Sequence, residues 1–316
     1  MKIKYLDGEK FFKAFQKGAE QVSARKHHLN EINFFPVADS DTGNNMSITL
    51  SATAIKVRPD NSIYKTIKSI SDNAIESARG NSGLILAQFF SGLYNKMKEK
   101  NTLDTKDFAE AVKKAIPYLY NNVDDPKEGT MLSVMRDWAE KVYDLGENID
   151  DFIILFNRSM ETAKSSLEDT RNQLEILKKN NTVDAGAQGF VYFLEGMINY
   201  WTNADKNDLA FDEIAVESEE ILKNEEESIF IPPEKLQYRY CTEIFMISDS
   251  SSEDIKNQLH NYGDSLIVAS SSEKMRIHIH TNNPDYIVSL LKDKGKIIDQ
   301  KVDDMQRQSE MVYNKK

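Results

Sequence analysis

For roughly its first two hundred residues the chain keeps a single apolar period. Phe11, Phe15, Ala19 and Val22 recur at i, i+4, i+8 and i+11, with charged residues between them. Ile63, Ile67, Ile70 and Ala74 repeat the spacing, as do Phe108, Val112, Ala115 and Leu119. Such a stripe is the core-facing side of an α-helix. Residues 47–57, 84–98, 131–143, 151–167 and 187–202 complete a set of about eight helices. Strand-type alternation is nearly absent before residue 237. The predicted class of this part is all-α, in an up-and-down arrangement. Pro117 is expected to kink or shorten its helix, because it lacks an N–H and crowds the preceding turn.

The period changes after an acidic stretch. Residues 204–236 hold 11 Asp/Glu against 3 Lys/Arg and include Pro232-Pro233 near their end. Most of the net charge of -11 is there, so the stretch reads as a solvated connector, with part of 212–224 helical. Beyond it, residues 239–247, 266–269, 275–281 and 296–302 read as strands, and 252–261 and 283–293 as helices. The order β-α-β-β-α-β is the ferredoxin-like layout. The predicted organisation is a helical domain over 1–203, a linker over 204–236 and an α+β domain over 237–316. The charge balance argues against broad nucleic-acid affinity. No apolar run is long enough for a membrane span and the first residues lack the apolar core of a signal peptide, so a cytoplasmic location is expected. The one cysteine, Cys241, excludes an intrachain disulfide and is either a small buried hydrophobe or a ligand.

Chemistry is concentrated where helices begin. Asp39-Ser40-Asp41-Thr42-Gly43-Asn44-Asn45 sets two carboxylates two residues apart before a helical pattern. Carboxylates bind Mg²⁺, which shares phosphate oxygens, but Asp and Asn also cap helices for hydrogen bonding alone. Ala78-Arg79-Gly80-Asn81-Ser82-Gly83, Glu128-Gly129-Thr130-Met131 and Asp184-Ala185-Gly186-Ala187-Gln188-Gly189 are joints of the same kind, read as preceding helices from Leu84, Leu132 and Phe190. Each puts small residues and donors at a helix N-terminus, where N–H groups and the helix dipole favour an anion. In an up-and-down array alternate joints fall at one end, and four of them would form a phosphate-binding rim. Arg79 either supplies positive charge there or lies on the surface. The P-loop signature is absent, which leaves metal ions much of the work of a P-loop lysine.

A second candidate site lies in the α+β part. His278 and His280 are two apart on a strand, so both leave one face about 6.5 Å apart along it. Cys241 and Glu243 have the same spacing on the first strand, which neighbours the third in this layout. Cys241, His278 and His280 then converge with Glu243 nearby. Thiolate and imidazole are zinc ligands; a solvated His-x-His beside a buried Cys is the other reading.

The four joints, in this order and spacing, resemble the ATP-binding domain of the dihydroxyacetone kinase family, and more closely the ATP-binding subunit of bacterial fatty acid kinase. The resemblance covers about residues 8–203 and continues into the second domain through Tyr240-Cys241-Thr242-Glu243, His278-Ile279-His280-Thr281 and the segment 302–308. It implies a barrel of eight antiparallel helices that holds ATP at one end. Asp39 and Asp41 would ligate Mg²⁺. Asn33 lies one position from the place of a third metal-binding residue, which is Asp in the ketone kinases. Thr42, Gly43, Asn44 and Asn45 would cradle phosphate, as would Asn81, Ser82 and Gly83. Thr130 and Met131 would border the nucleotide, and Asp184, Ala185 and Gly186 would close the site. Ser40 stands where the family usually has Gly.

The activity implied is transfer of the γ-phosphoryl group of ATP to a fatty acid carboxylate, giving an acyl phosphate. The fatty acid would be held by a separate carrier protein of the DegV-like type, and the middle domain would dock that carrier or form a homodimer. The same resemblance raises the zinc reading of Cys241, His278 and His280. Family members usually continue with a third, C-terminal domain; the sequence ends at Lys316, a departure that touches the partner interaction and the substrate. A kinase of a small hydroxyl compound and a non-catalytic nucleotide sensor or scaffold remain as alternatives.

Overall fold

The computed structural model describes residues 2–35, 40–97, 99–202 and 237–307. The acidic stretch 204–236, with the helix expected in 212–224, lies outside the described residues, and so does Asp39. Before the first strand the described residues form α1 (Gly8–Ala24), α2 (Lys26–Glu31), α3 (Thr42–Lys56), α4 (Ile63–Ser77), α5 (Gly80–Lys96), α6 (Thr105–Asn121), α7 (Met131–Gly146), α8 (Phe152–Gln173), α9 (Glu175–Lys179) and α10 (Ala185–Thr202). Eight of these are long; α2 and α9 are single short turns of chain inserted between them.

Each long helix packs on the next, α1 on α3, then α4, α5, α6, α7, α8 and α10, and α10 packs back on α1, closing the ring. Its interior is apolar because the stripes point inward. Phe15, Phe90 and Phe193 meet edge to face, and Trp138 does the same with Phe89, Phe156 and Phe190. Such contacts add specific geometry to a large buried apolar area. With neighbours antiparallel, α3, α5, α7 and α10 all begin at one end of the barrel. α6 runs through Pro117 to Asn121 rather than stopping there. Its last turn is held by buried Leu119 and by the Asn122 side chain, which donates to Tyr118 O at 2.8 Å.

The remaining elements are β1 (Tyr240–Ile247), α11 (Ser252–Leu259), β2 (Asp264–Ser271), β3 (Lys274–Thr281), α12 (Pro284–Lys292) and β4 (Lys296–Asp304). The sheet order is β2-β3-β1-β4, antiparallel throughout, as the ferredoxin-like layout requires. One face, with Ile244, Met246, Ile277 and Ile279, is closed by Ile255 and Leu259 of α11 and Ile287 and Leu291 of α12.

The other face docks on the barrel. Ile267 and Ala269 belong to the barrel's own apolar cluster, and β2 and β3 lie against α4 and α5. The rest of the interface is hydrogen-bonded. Ser270 N donates to Gln88 Oε1 at 3.1 Å, Ser71 Oγ to Ser271 Oγ at 2.6 Å, and Ser91 Oγ to Ser270 O. The α6–α7 connection lies along the edge of β2, with Asp124 N donating to Leu266 O at 2.9 Å and Val268 N to Asn122 O at 3.1 Å. The face that carries the Cys/His candidates is thus turned toward the helical part.

Candidate functional site

The starts of α3, α5, α7 and α10 are in mutual contact. A Cβ added at Gly80, whose φ is 55°, would meet Asn45 Nδ2 at 2.3 Å, so the first two joints touch. Only a residue without Cβ accepts both that conformation and that neighbour. A Cβ at Gly186 would meet Asp184 Oδ1, Met131 Cβ and Ser82 Oγ, each at 3.4 Å, so the last three joints also touch. Two of the helices start earlier than their apolar stripes suggest, α5 at Gly80 and α10 at Ala185, while α7 starts at Met131 as its stripe does. Asn81, Ser82 and Gly83 accordingly form the first turn of α5 instead of a loop before it.

Asp41 occupies the N-cap position of α3 but makes no side-chain cap hydrogen bond. Asn30 does that work: its Oδ1 accepts from Gly43 N at 2.7 Å and from Asn44 N at 3.3 Å. Asn44 Oδ1 in turn accepts from Asn30 Nδ2 at 3.2 Å. Gly43 is required by packing, since a Cβ there would lie 2.0 Å from Lys26 O. Thr42 and Asn33 are buried, and Ser40 has a left-handed φ of 56°. Thr130 caps α7, accepting from Leu132 N at 3.4 Å and donating to Lys127 O at 2.8 Å. Met131 is buried beside it.

Asp184 caps α10, accepting from Ala187 N at 2.8 Å. Burial pushes its carboxyl up to about 6, against the backbone hydrogen bonds from Ala187, Met131 and Gly186. Asn81 Oδ1 is buried and has no hydrogen-bond partner among the described residues. Polar side chains thus gather where four helices begin, with Asn30, Thr130 and Asp184 each accepting from an N–H of a helix start.

The Cys/His cluster forms where strand parity brings it. Cys241 pairs with His280 and Glu243 with His278 across β1 and β3. The ligand atoms of Cys241, His278 and His280 all lie within 4.8 Å of one another. Cys241 Sγ is 3.8 Å from His278 Nδ1, and the two Nε2 atoms are 3.3 Å apart. A thiol and two imidazoles are the ligand types zinc takes, and one atom from each lies within 4.8 Å of the others. His278 is buried, which removes the solvated reading.

Burial resists charge on both Cys241 and His278, yet their mutual attraction and hydrogen bonding win: the thiol is drawn down and the imidazole held well above its usual value. Burial likewise opposes ionisation of Glu243, but His278, the Gly80 N–H and Arg276 outweigh it and hold the carboxyl at about 2. His280 Nδ1 lies 3.1 Å from Asp264 Oδ1, an orienting partner of the kind metal-binding histidines use. Arg79 does not lie free on the surface; its Nη1 is 3.6 Å from Glu243 Oε2.

The DAK2 domain model matches residues 36–199, more than half of the chain. The chain belongs to the DAK2 domain family. Residues 237–312 match the FakA-like middle domain of fatty acid kinase. A protein of Staphylococcus saprophyticus is 31% identical over 99% of this chain and 58% of its own length, and one of Staphylococcus epidermidis is 29% identical over the same shares. The chain therefore spans little more than half of these relatives. A dihydroxyacetone kinase from C. freundii, solved in complex with AMP-PNP and Mg²⁺, superimposes with a TM-score of 0.47 at 16% identity, over 60% of this chain and 33% of that one. Among the described residues no helix is long and apolar enough to cross a membrane.

Two residues around this DAK2 site, Asn30 and Thr49, escape a reading of the sequence. Asn30 carries no signal in Leu29-Asn30-Glu31 that sets it apart from other polar positions. Thr49 Oγ1 accepts from Arg79 N at 3.1 Å, joining α3 to the second joint from the middle of a helix. Arg276, by contrast, was within reach: strand alternation puts it on the face of His278 and His280, and it is buried.

Proposed function

We propose that this chain is an ATP- and Mg²⁺-dependent phosphotransferase of the fatty acid kinase type. It would transfer the γ-phosphoryl group to the carboxylate of a fatty acid held by a separate carrier protein and release an acyl phosphate. The observation that carries the proposal is the contact of four helix N-termini at one end of a DAK2 barrel, linked through Asn45–Gly80 and Ser82–Gly186–Met131. Phosphoryl transfer needs positioning and charge neutralisation more than covalent help. Bound Mg²⁺ would neutralise charge on the phosphates, with Asp41 and Asp39 as its carboxylate ligands and Asn33 as a further candidate. Thr42, Gly43, Asn44 and Asn45 from the first joint, and Asn81, Ser82 and Gly83 from the second, would hold phosphate. Thr130, Met131, Asp184, Ala185 and Gly186 would border the nucleotide, and Arg79 would contribute positive charge. The match to the fatty acid kinase middle domain supports the choice of acceptor. A cytoplasmic location and an external carrier belong to the same proposal.

The test is Asp41→Ala, assayed with ATP, Mg²⁺ and carrier-bound fatty acid. Turnover should fall roughly 100-fold or more while the helical circular dichroism is kept. Undiminished turnover sinks the metal assignment. Transfer to dihydroxyacetone and not to carried fatty acid overturns the acceptor, and tight ATP binding without transfer to either makes the chain a sensor.

Cys241, His278 and His280 would hold zinc, with the fourth position open. Elemental analysis of the native chain should find about one zinc per chain, lost in a Cys241→Ser, His278→Ala variant. Equal metal content in the two proteins removes the site.

A further inference from the structure

Helix starts leave backbone N–H groups that must find acceptors. At α5 the first of them is satisfied from the other side of the interface: Gly80 N donates to Glu243 Oε1 of β1 at 2.9 Å. The second carboxylate oxygen lies 3.6 Å from Arg79 Nη1 and 3.7 Å from Arg276 Nη1. Glu243 is 6% exposed, and its Oε2 is buried without a hydrogen-bond partner among the described residues. A single carboxylate from the sheet therefore accepts from the backbone of one residue and faces the charged side chain of the residue before it. Those two residues open the joint whose next three are Asn81, Ser82 and Gly83.

A second tether comes from β3. Arg276 Nε donates to Ile75 O at 3.1 Å and its Nη2 to Glu76 O at 2.6 Å, both in the last turn of α4. The short α4–α5 connection is thus pinned at its two ends by side chains of the second part. Gly80 is the residue with the least conformational preference of its own, and its φ of 55° is held by what surrounds it.

We propose that Glu243 is a positioning residue for nucleotide binding: reaching from the sheet, it fixes the Gly80 N–H and so presents Asn81, Ser82 and Gly83 to phosphate. Its role rests on phosphate binding at that joint. A consequence is that the phosphate-binding end of the barrel is completed by the docked sheet.

Glu243→Gln keeps an acceptor for Gly80 and loses the charge. Glu243→Asp keeps the charge and shortens the reach. Both are measured in the full chain, by amide hydrogen exchange over residues 79–83 without nucleotide and by calorimetric titration with MgADP. Exchange should quicken about tenfold in the Asp variant and stay near the native rate in the Gln variant. MgADP affinity should fall about tenfold for Asp and remain within about threefold for Gln, with α11 exchange unchanged in both. Native exchange in the Asp variant, or loss in Gln equal to that in Asp, overturns the positioning role. Absence of MgADP binding in the unaltered chain overturns phosphate binding at the joint, while the exchange pattern still decides whether Glu243 holds Gly80.

Discussion

Asp184 shows what one buried carboxyl costs and what it does. It sits at the start of α10, 5% exposed, and burial lifts its proton affinity so that it titrates at about 6 instead of 3.8. Because the folded value is the higher one, the folded state binds the proton more tightly than the unfolded state. The associated stability is fully present below the unfolded value and is lost as pH rises through about 6. A shift of this size is about 3 kcal/mol. Asp184→Asn resembles the protonated carboxyl and keeps an acceptor for the Ala187 N–H. Denaturant unfolding of the ligand-free protein should find the variant equal to native near pH 4 and more stable by up to about 3 kcal/mol near pH 8. Parallel curves for the two proteins would show that the carboxyl is not the source of the pH dependence. Ser40 has a left-handed backbone, which costs a non-glycine residue about 1–2 kcal/mol, a strain its neighbours in the sequence do not announce. Asn30 was illegible, because a residue that caps a helix from a preceding element has no fixed spacing to it.

At the scale of elements, period carried nearly everything. The eight long helices follow from stripes such as Phe11, Phe15, Ala19 and Val22, all buried. The strands follow from alternation such as Met275, Ile277 and Ile279 against Arg276, His278 and His280. Helix starts were displaced because small polar residues read as loop, whereas Asn81 and Ser82 lie inside the first turn of α5. Pro117 does not end its helix. A proline late in a helix forfeits one hydrogen bond, and packing of the turn around Leu119 outweighs that loss. The convergence of Cys241 with His278 and His280 needed only strand order and parity, both of which are periodic properties. Which body their face would meet is not a periodic property. The residues that make the interface, among them Ser71, Gln88, Ser91 and Ser270, are polar and have the composition of a solvent-facing surface.

For the whole molecule the consequence is that barrel and sheet share a buried face and should lose it together. Arg276 is the residue best placed to test this. It is 4% exposed, donates to two carbonyls that end α4, and faces Glu243. Burial depresses its proton affinity, while Glu243 acts to restore it. Arg276→Met keeps much of the volume and removes the donors and the charge. It leaves the α4 carbonyls and the Glu243 carboxylate less compensated inside the interface, which should cost about 2–4 kcal/mol. Lys274→Met is the control, since Lys274 makes only a half-exposed ion pair with Glu76 and should matter by less than about 1 kcal/mol. Scanning calorimetry of the native chain should give one transition for the described parts. In Arg276→Met the sheet should melt ahead of the barrel, with exchange in β1 and β3 quickening before that of α4 and α5. A single transition at the native temperature in that variant would mean that the two parts are held by their apolar contacts at Ile267 and Ala269, with the arginine contributing little.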